Sequence, residues 1–220
     1  MSFRDLREYL NALDKLGELK RVAAAVSPLL EITEIADRVV KREGPALLFE
    51  RVTGAAMPVA INLFGSTARV MRALEVDDWK RWTERLEFFL EPKMPTSLLD
   101  KVRTLPKLLE VAGIFPKVVK DGPVHEVVTT GDAVDLGELP ALQCWPLDAG
   151  RFLTLTNVIT RDPATGGRNC GMYRLQVYDR NTTGMHSHLH HDAARHLQDN
   201  ARRGRRTEVA VAFGGDPATM

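Results

Sequence analysis

Apolar residues first recur at helical spacing near the N-terminus, where Phe3, Leu6, Leu10, Leu13 and Leu16 share a face and Gly17 follows as a stop. Ser2 is the expected cap, with Asp5 at the capping-box distance. A short strand is expected through Leu19 and Val22. A second helix is expected over 31–43, with Ile32, Ile35, Ala36, Val39 and Val40 on or near one face and Gly44-Pro45 ending it. Ala46–Val52 and 59–64 read as strands parted by Thr53-Gly54. The region 66–112 reads as mainly helical, punctuated by Pro92, Pro95 and Pro106, and its Trp79, Trp82, Leu86 and Phe89 recur at helical spacing as packing residues. After Lys120-Asp121-Gly122-Pro123 the texture changes to strands over 124–130, 152–161, 173–180, 183–190 and 209–214, with one helix over 192–203. The turn Asp162-Pro163-Ala164-Thr165-Gly166-Gly167 separates two of these strands.

The expectation is an α/β (α+β) chain: an N-terminal mixed α/β domain over 1–121, then a largely antiparallel sheet or barrel over 122–220. Asp216-Pro217 reads as a helix cap followed by a first helical position. An element opened there is not completed by Met220, so the chain is expected to be the front of a larger protein. At 220 residues a fold can bury about 70% of its unfolded surface. With 44% hydrophobic and 27% charged residues the chain is not disordered. The 30 basic and 29 acidic side chains nearly cancel, which removes a general polyanion field and, with it, nucleic acid as the expected partner. Cys144 and Cys170 are too few for a disulfide framework and suit a reducing compartment. No stretch has the ~20 apolar residues of a transmembrane segment, and the charged start MSFRDLREYL is unlike a secretion signal. A cytoplasmic location is expected.

Candidate chemistry gathers in two places. Four of six histidines lie in His186-Ser187-His188-Leu189-His190-His191. On a strand, His186, His188 and His190 would share one face, as metal ligands, anion donors or a solvated polar surface. The pattern has neither an HExxH spacing nor a CxxC partner, which argues against structural zinc. The second place is Arg168-Asn169-Cys170-Gly171-Met172-Tyr173-Arg174. Asn169 offers a hard oxygen for a divalent cation, Gly171 a close backbone approach, and Arg174 a fork for carboxylate or phosphate. Each also has an ordinary reading, as turn, bulge and surface strand. A hairpin through Asn181-Thr182 would bring Asn169 and Arg174 beside His188 and His190.

These blocks resemble the UbiD family of decarboxylases. The likeness runs through Phe3-Arg4-Asp5-Leu6-Arg7, Gly44-Pro45-Ala46-Leu47-Leu48-Phe49, the run from Leu139 to Gly150, Val158-Ile159-Thr160-Arg161-Asp162-Pro163, Arg168 to Arg174, the histidine segment and Gly214-Gly215-Asp216-Pro217. The resemblance implies that the second domain is the first part of a flavin-reductase-like split β-barrel. It implies a carboxy-lyase that reversibly and non-oxidatively decarboxylates aromatic or α,β-unsaturated carboxylic acids. The implied cofactor is prenylated FMN, with a divalent metal, commonly Mn2+, and a monovalent cation such as K+. Asn169 and His190 are then the expected metal ligands. Thr154, Met172, Tyr173, Arg174, His186, Ser187, His188, His191 and Asp192 are the expected flavin contacts, and Arg174 the expected catalytic arginine, holding the substrate carboxylate. A flavin prenyltransferase is the implied cofactor supplier, and a homo-oligomer the expected assembly. The family's two catalytic glutamates, its glutamate metal ligand and its monovalent-cation site fall beyond Met220, and Glu208 does not replace them. The 220 residues alone are therefore expected to be inactive. Two other readings stand beside this one: a non-catalytic flavin- or metal-binding or assembly module needing a separate C-terminal partner, and a histidine-rich metal-binding protein without flavin.

Overall fold

The structure is a computed structural model, which describes residues 3–90 and 118–220. They fall into two compact units, one of the described residues up to 75 with 134–220 and one of those between 76 and 133. In the first unit, α1 (Leu6–Lys15) is capped by Asp5, whose carboxylate accepts from the Glu8 amide at 2.8 Å; the expected cap, Ser2, lies outside the described residues. Gly17 takes φ +72° to close the helix, with Glu18 N donating to Leu13 O at 2.9 Å. β1 (Leu19–Val26), α2 (Glu31–Val40), β2 (Ala46–Val52) and β3 (Val59–Ile61) follow.

β2 lies at the centre of a three-stranded sheet, parallel to β1 and antiparallel to β3. Its residues Ala46 to Phe49 are all buried, because both faces are covered. Leu47 and Phe49 pack with Ile32 and Ala36 of α2, while Ala46 and Leu48 pack with Tyr9 and Leu13 of α1. This is one α/β layer built on alternation in a single strand. α3 (Thr67–Ala73) follows, capped by the Ser66 hydroxyl.

The remainder of the first unit holds two more three-stranded sheets, ordered β4-β7-β8 and β6-β5-β9. Their strands are β4 (Phe152–Leu153), β5 (Asn157–Arg161), β6 (Arg168–Met172), β7 (Leu175–Val177), β8 (Thr183–Met185) and β9 (Ala210–Ala212), with α5 (Asp192–Arg202) between β8 and β9. Every pairing in them is antiparallel. The mixed α/β class is as expected, but the strands are shorter. The expected strand over 173–180 begins only at Leu175, and that over 183–190 ends at Met185. Asp216 does start a turn, accepting from Thr219 N at 3.1 Å and Thr219 Oγ1 at 2.9 Å.

In the second unit, α4 (Trp79–Leu90) confirms helix in that region, but Trp79 is 41% and Leu86 39% exposed, so neither is a buried packing residue there. The Phe89 side chain and the prolines at 92, 95 and 106 lie outside the described residues. The expected strand at 124–130 is absent; Pro123–His125 is instead a single 3-10 turn. Pro123 fixes φ and lacks an amide donor, which starts a turn more readily than a paired strand.

Tyr9 ties the α/β layer together. It is fully buried, and its hydroxyl is 2.9 Å from Arg69 O and 3.1 Å from Leu63 O, one proton serving two carbonyls. Burial pushes its phenol up to about 12. Tyr9→Phe should cost about 1–2 kcal/mol in denaturant unfolding, the loss from stranding buried acceptors. Because the folded pKa is raised, the unfolded chain ionises first as pH climbs past 10, so wild-type stability should fall between pH 10 and about 12. Tyr9→Phe should show a shallower fall across that window; equal slopes would contradict the assignment.

Candidate functional site

β5 and β6 pair in register, Thr160 opposite Asn169 and Val158 opposite Gly171, which puts these residues on one face. α5 covers that face. The buried Thr160 Oγ1 lies 2.9 Å from Nδ1 of His196, itself 2% exposed, and Val158 packs with Tyr173, Leu175 and Ala193. Arg195 Nη2 is 3.0 Å from His196 Nε2, and a guanidinium can only donate, so Nε2 accepts and Nδ1 carries the proton towards Thr160. Arg195 Nη1 also donates to Asp162 Oδ2 at 2.9 Å. The Asp162 carboxyl is held well below the usual carboxylate range, chiefly by the Ala164 amide and then by Arg195. Sequence alone shows this segment as a turn; the only signal for the network is that Asp-Pro with Gly-Gly is an acceptor-rich turn.

Beyond Met172 the chain leaves one sheet for the other through two residues, Tyr173 and Arg174. Tyr173 folds back over β6: a Cβ at Gly171 would fall 2.6 Å from its ring, so the glycine seats the tyrosine rather than a ligand. The Tyr173 backbone oxygen accepts from the buried Thr156 hydroxyl. Its own hydroxyl accepts from Asn169 Nδ2 at 3.5 Å and from the Ala193 amide, in the first turn of α5, at 3.4 Å. Its ring meets His191 edge-on at 5.4 Å. His191 is the α5 N-cap, and its Nδ1 accepts from the His188 amide at 3.2 Å. The His188 ring lies 5.2 Å from that of His190.

Asn169, Tyr173, His191, His188 and His190 are thus linked, but by a different route from the expected hairpin. β7 pairs with β8 only from Leu175 to Val177, with His186 N reaching Arg174 O at 3.0 Å, whereas β6 belongs to the other sheet. His186 and Ser187 are irregular and His188 to His191 form a turn before α5, with His191 N on His188 O at 2.9 Å, so the alternating strand face expected for His186, His188 and His190 does not exist. Two backbone-to-imidazole bonds inside the segment, from the His188 amide to His191 Nδ1 and from the His190 amide to His188 Nδ1, favour the turn over extension of the ladder.

Arg174 faces away from the Tyr173 cluster's contacts. Its Cζ sits 3.6 Å over the Phe152 ring, and Nη2 donates to Asp148 Oδ2 at 3.2 Å. Burial pushes the Cys144 thiol up, with the Arg174 charge opposing the shift, so this cysteine is no ready nucleophile. Met172 is exposed, as are His186, His188, His190, His191 and Asp192, while Ser187 is half-buried. Thr154 stands apart: it lines an apolar cavity of about 460 Å³ with Leu6, Leu10, Leu142, Phe152 and Phe213, and no other expected flavin or metal residue lines that cavity.

Two buried polar atoms in this region, Arg174 Nε and Ser187 Oγ, have no hydrogen-bond partner among the described residues. Both are donors, and with the imidazoles and the first turn of α5 they suit an anionic group such as a flavin phosphate. A metal fits less well. Among the described residues no group of three or more His, Cys, Asp or Glu side chains is placed to hold one, so Asn169 and His190 do not make a metal centre by themselves.

Comparison with known proteins gives two family models. Residues 10–88 match the 3-octaprenyl-4-hydroxybenzoate carboxy-lyase N-terminal domain, and residues 117–220 match the 3-octaprenyl-4-hydroxybenzoate carboxy-lyase Rift-related domain. An uncharacterised protein of Archaeoglobus fulgidus is 47% identical over 100% of the chain and 45% of its own length. One of Aquifex aeolicus is 44% identical over 98% of the chain and 44% of its own length. The chain therefore spans less than half of these curated relatives. Among solved structures, the evolved dimeric form of the UbiD-class enzyme HmfF from Pelotomaculum thermopropionicum, in complex with prFMN, has TM-score 0.78 and 31% identity over 98% of this chain and 45% of that one. Vanillic acid decarboxylase of Sedimentibacter hydroxybenzoicus has TM-score 0.80 and 27% identity over 100% of this chain and 44% of that one.

The Asp162 network sets an acid limit. A lowered folded pKa adds stability above the ordinary carboxylate pKa near 4, and that part is lost as pH falls below it. Asp162→Asn should be less stable than wild type at pH 7, and the two curves should converge towards pH 2. A constant gap in urea midpoints would refute this role.

Proposed function

The chain belongs to the UbiD family, and from that we propose that it is the cofactor-holding part of a carboxy-lyase that decarboxylates aromatic or α,β-unsaturated carboxylic acids with prenylated FMN. The observation carrying this reading is the link at Tyr173 and Arg174, where adjacent residues engage an amide-and-imidazole cluster on one hand and present a guanidinium on the other. HmfF, in complex with prFMN, supports it by likeness over nearly the whole chain.

In this proposal Ser187 turns its hydroxyl and Arg174 the accessible edge of its guanidinium to the flavin, with Met172, Tyr173, His186, His188, His191 and Asp192 around it. When bound, the prenylated flavin supplies the electron sink for loss of carbon dioxide. Arg174 orients the substrate carboxylate and balances its charge beside Phe152. Thr154, in its separate apolar cavity, belongs to the flavin set on the resemblance alone. Asn169 and His190 would be two donors to a divalent ion, Mn2+ by resemblance, whose remaining donors, like a site for K+, would come from outside the described residues. The division at 121/122, with the second domain as the first part of a split β-barrel, belongs to the same proposal. So do supply by a flavin prenyltransferase, a homo-oligomer and a cytoplasmic location, which suits the free thiols of Cys144 and Cys170. Among the described residues no helix is long and apolar enough to cross a membrane.

The test is to express the full encoded polypeptide with a flavin prenyltransferase. The purified protein should show a flavin absorption spectrum and release carbon dioxide from an unsaturated aromatic acid. Arg174→Ala should keep most of the flavin and lose about 100- to 1,000-fold in turnover, the scale of one charge-stabilising donor. A colourless protein, or normal turnover in the variant, would overturn the reading.

A further inference from the structure

Arg174 is held by more than its place in the chain. Asp148 Oδ2 accepts from three donors: Cys144 N at 3.3 Å, Trp145 N at 3.1 Å and Arg174 Nη2 at 3.2 Å. The first two bonds, with Asp148 N to Trp145 O at 3.1 Å, fix the carboxylate in a closed turn. Phe152 is equally fixed, since β4 pairs it with Gln176 of β7 and bridges it to Leu142. The guanidinium is therefore pressed on a ring and tied at one nitrogen by groups that cannot easily follow it. Its Nε is buried and has no partner among the described residues, yet the side chain remains 40% exposed, so the accessible edge lies beyond Nε.

A planar guanidinium meets a carboxylate best with two parallel bonds. Here one arm is already engaged by an internal carboxylate. The geometry points to Asp148 as the positioning residue for Arg174: it holds the guanidinium over the Phe152 ring and competes with an incoming carboxylate for it. This rests on the decarboxylase reading for its purpose, but the clamp is a property of this chain's own side chains. It presets orientation at the expense of ground-state affinity, so that the arginine is aimed before the acid arrives.

The test uses the full chain and two-dimensional NMR of the Arg174 Nε–H group, assigned by its loss in Arg174→Lys. The wild-type signal should be shifted by the Phe152 ring and slow to exchange. Asp148→Asn should move it towards the position of free arginines and speed its exchange, while Asp148→Glu should restore it in part. Benzoate, the probe carboxylate, should bind Asp148→Asn about fivefold more tightly than wild type, as expected when a competing, part-buried ion pair is removed. Simple loss of structure would weaken binding instead. Phe152→Leu should lose the ring shift while keeping the slow exchange given by Asp148. An unchanged Arg174 signal in Asp148→Asn, or benzoate binding that is weakened or unaltered, overturns the proposal. If the signal moves as stated but the wild-type chain takes up no FMN, the clamp stands and the flavin reading falls.

Discussion

The site depends on a constraint at Tyr173 and Arg174, where the chain must pass from one three-stranded sheet to another within two residues. Residues in extended chain point to opposite sides. One step therefore sends the tyrosine to the α5 face and the arginine to Phe152 and Asp148. Gly171 makes the first possible by leaving room for the ring, and the Thr156 hydroxyl holds the backbone at the crossing. The α5 side is then secured by Thr160, His196, Arg195 and Asp162, which keep the helix whose first turn meets Tyr173.

Much of the α/β layer was legible in the sequence because its signals are local. Ala46–Val52 was found from end to end, since a buried central strand reads as an unbroken apolar run. Leu6 to Gly17 was legible from spacing and a glycine stop. The second half was harder. Met185 ends a strand that the alternation would have extended, because bonds within the histidine turn compete with the ladder, and Val177 ends another before the turn in which Asp179 accepts from the Asn181 amide. That contest depends on the path to α5, which no local pattern states.

The candidate residues divide in the same way. Asn169, Tyr173, His188, His190 and His191 were named from residue type and resemblance, and the structure links them through a tyrosine hydroxyl and ring contacts instead of a hairpin. Asp148 and His196 were not named. Asp148 lies within the run from Leu139 to Gly150, but its meaning comes from Arg174, twenty-six positions away along the chain. His196 sits in an ordinary amphipathic helix, and only burial against Thr160 distinguishes it.

The central claim is that the two sides of this crossing serve one bound anionic ring system. A crystal structure of the chain soaked with FMN tests it most directly. The account predicts flavin density against Arg174 and Ser187, with its phosphate near the His188–His191 turn. Density confined to the apolar cavity around Thr154, with Arg174 and the histidine turn untouched, would contradict it.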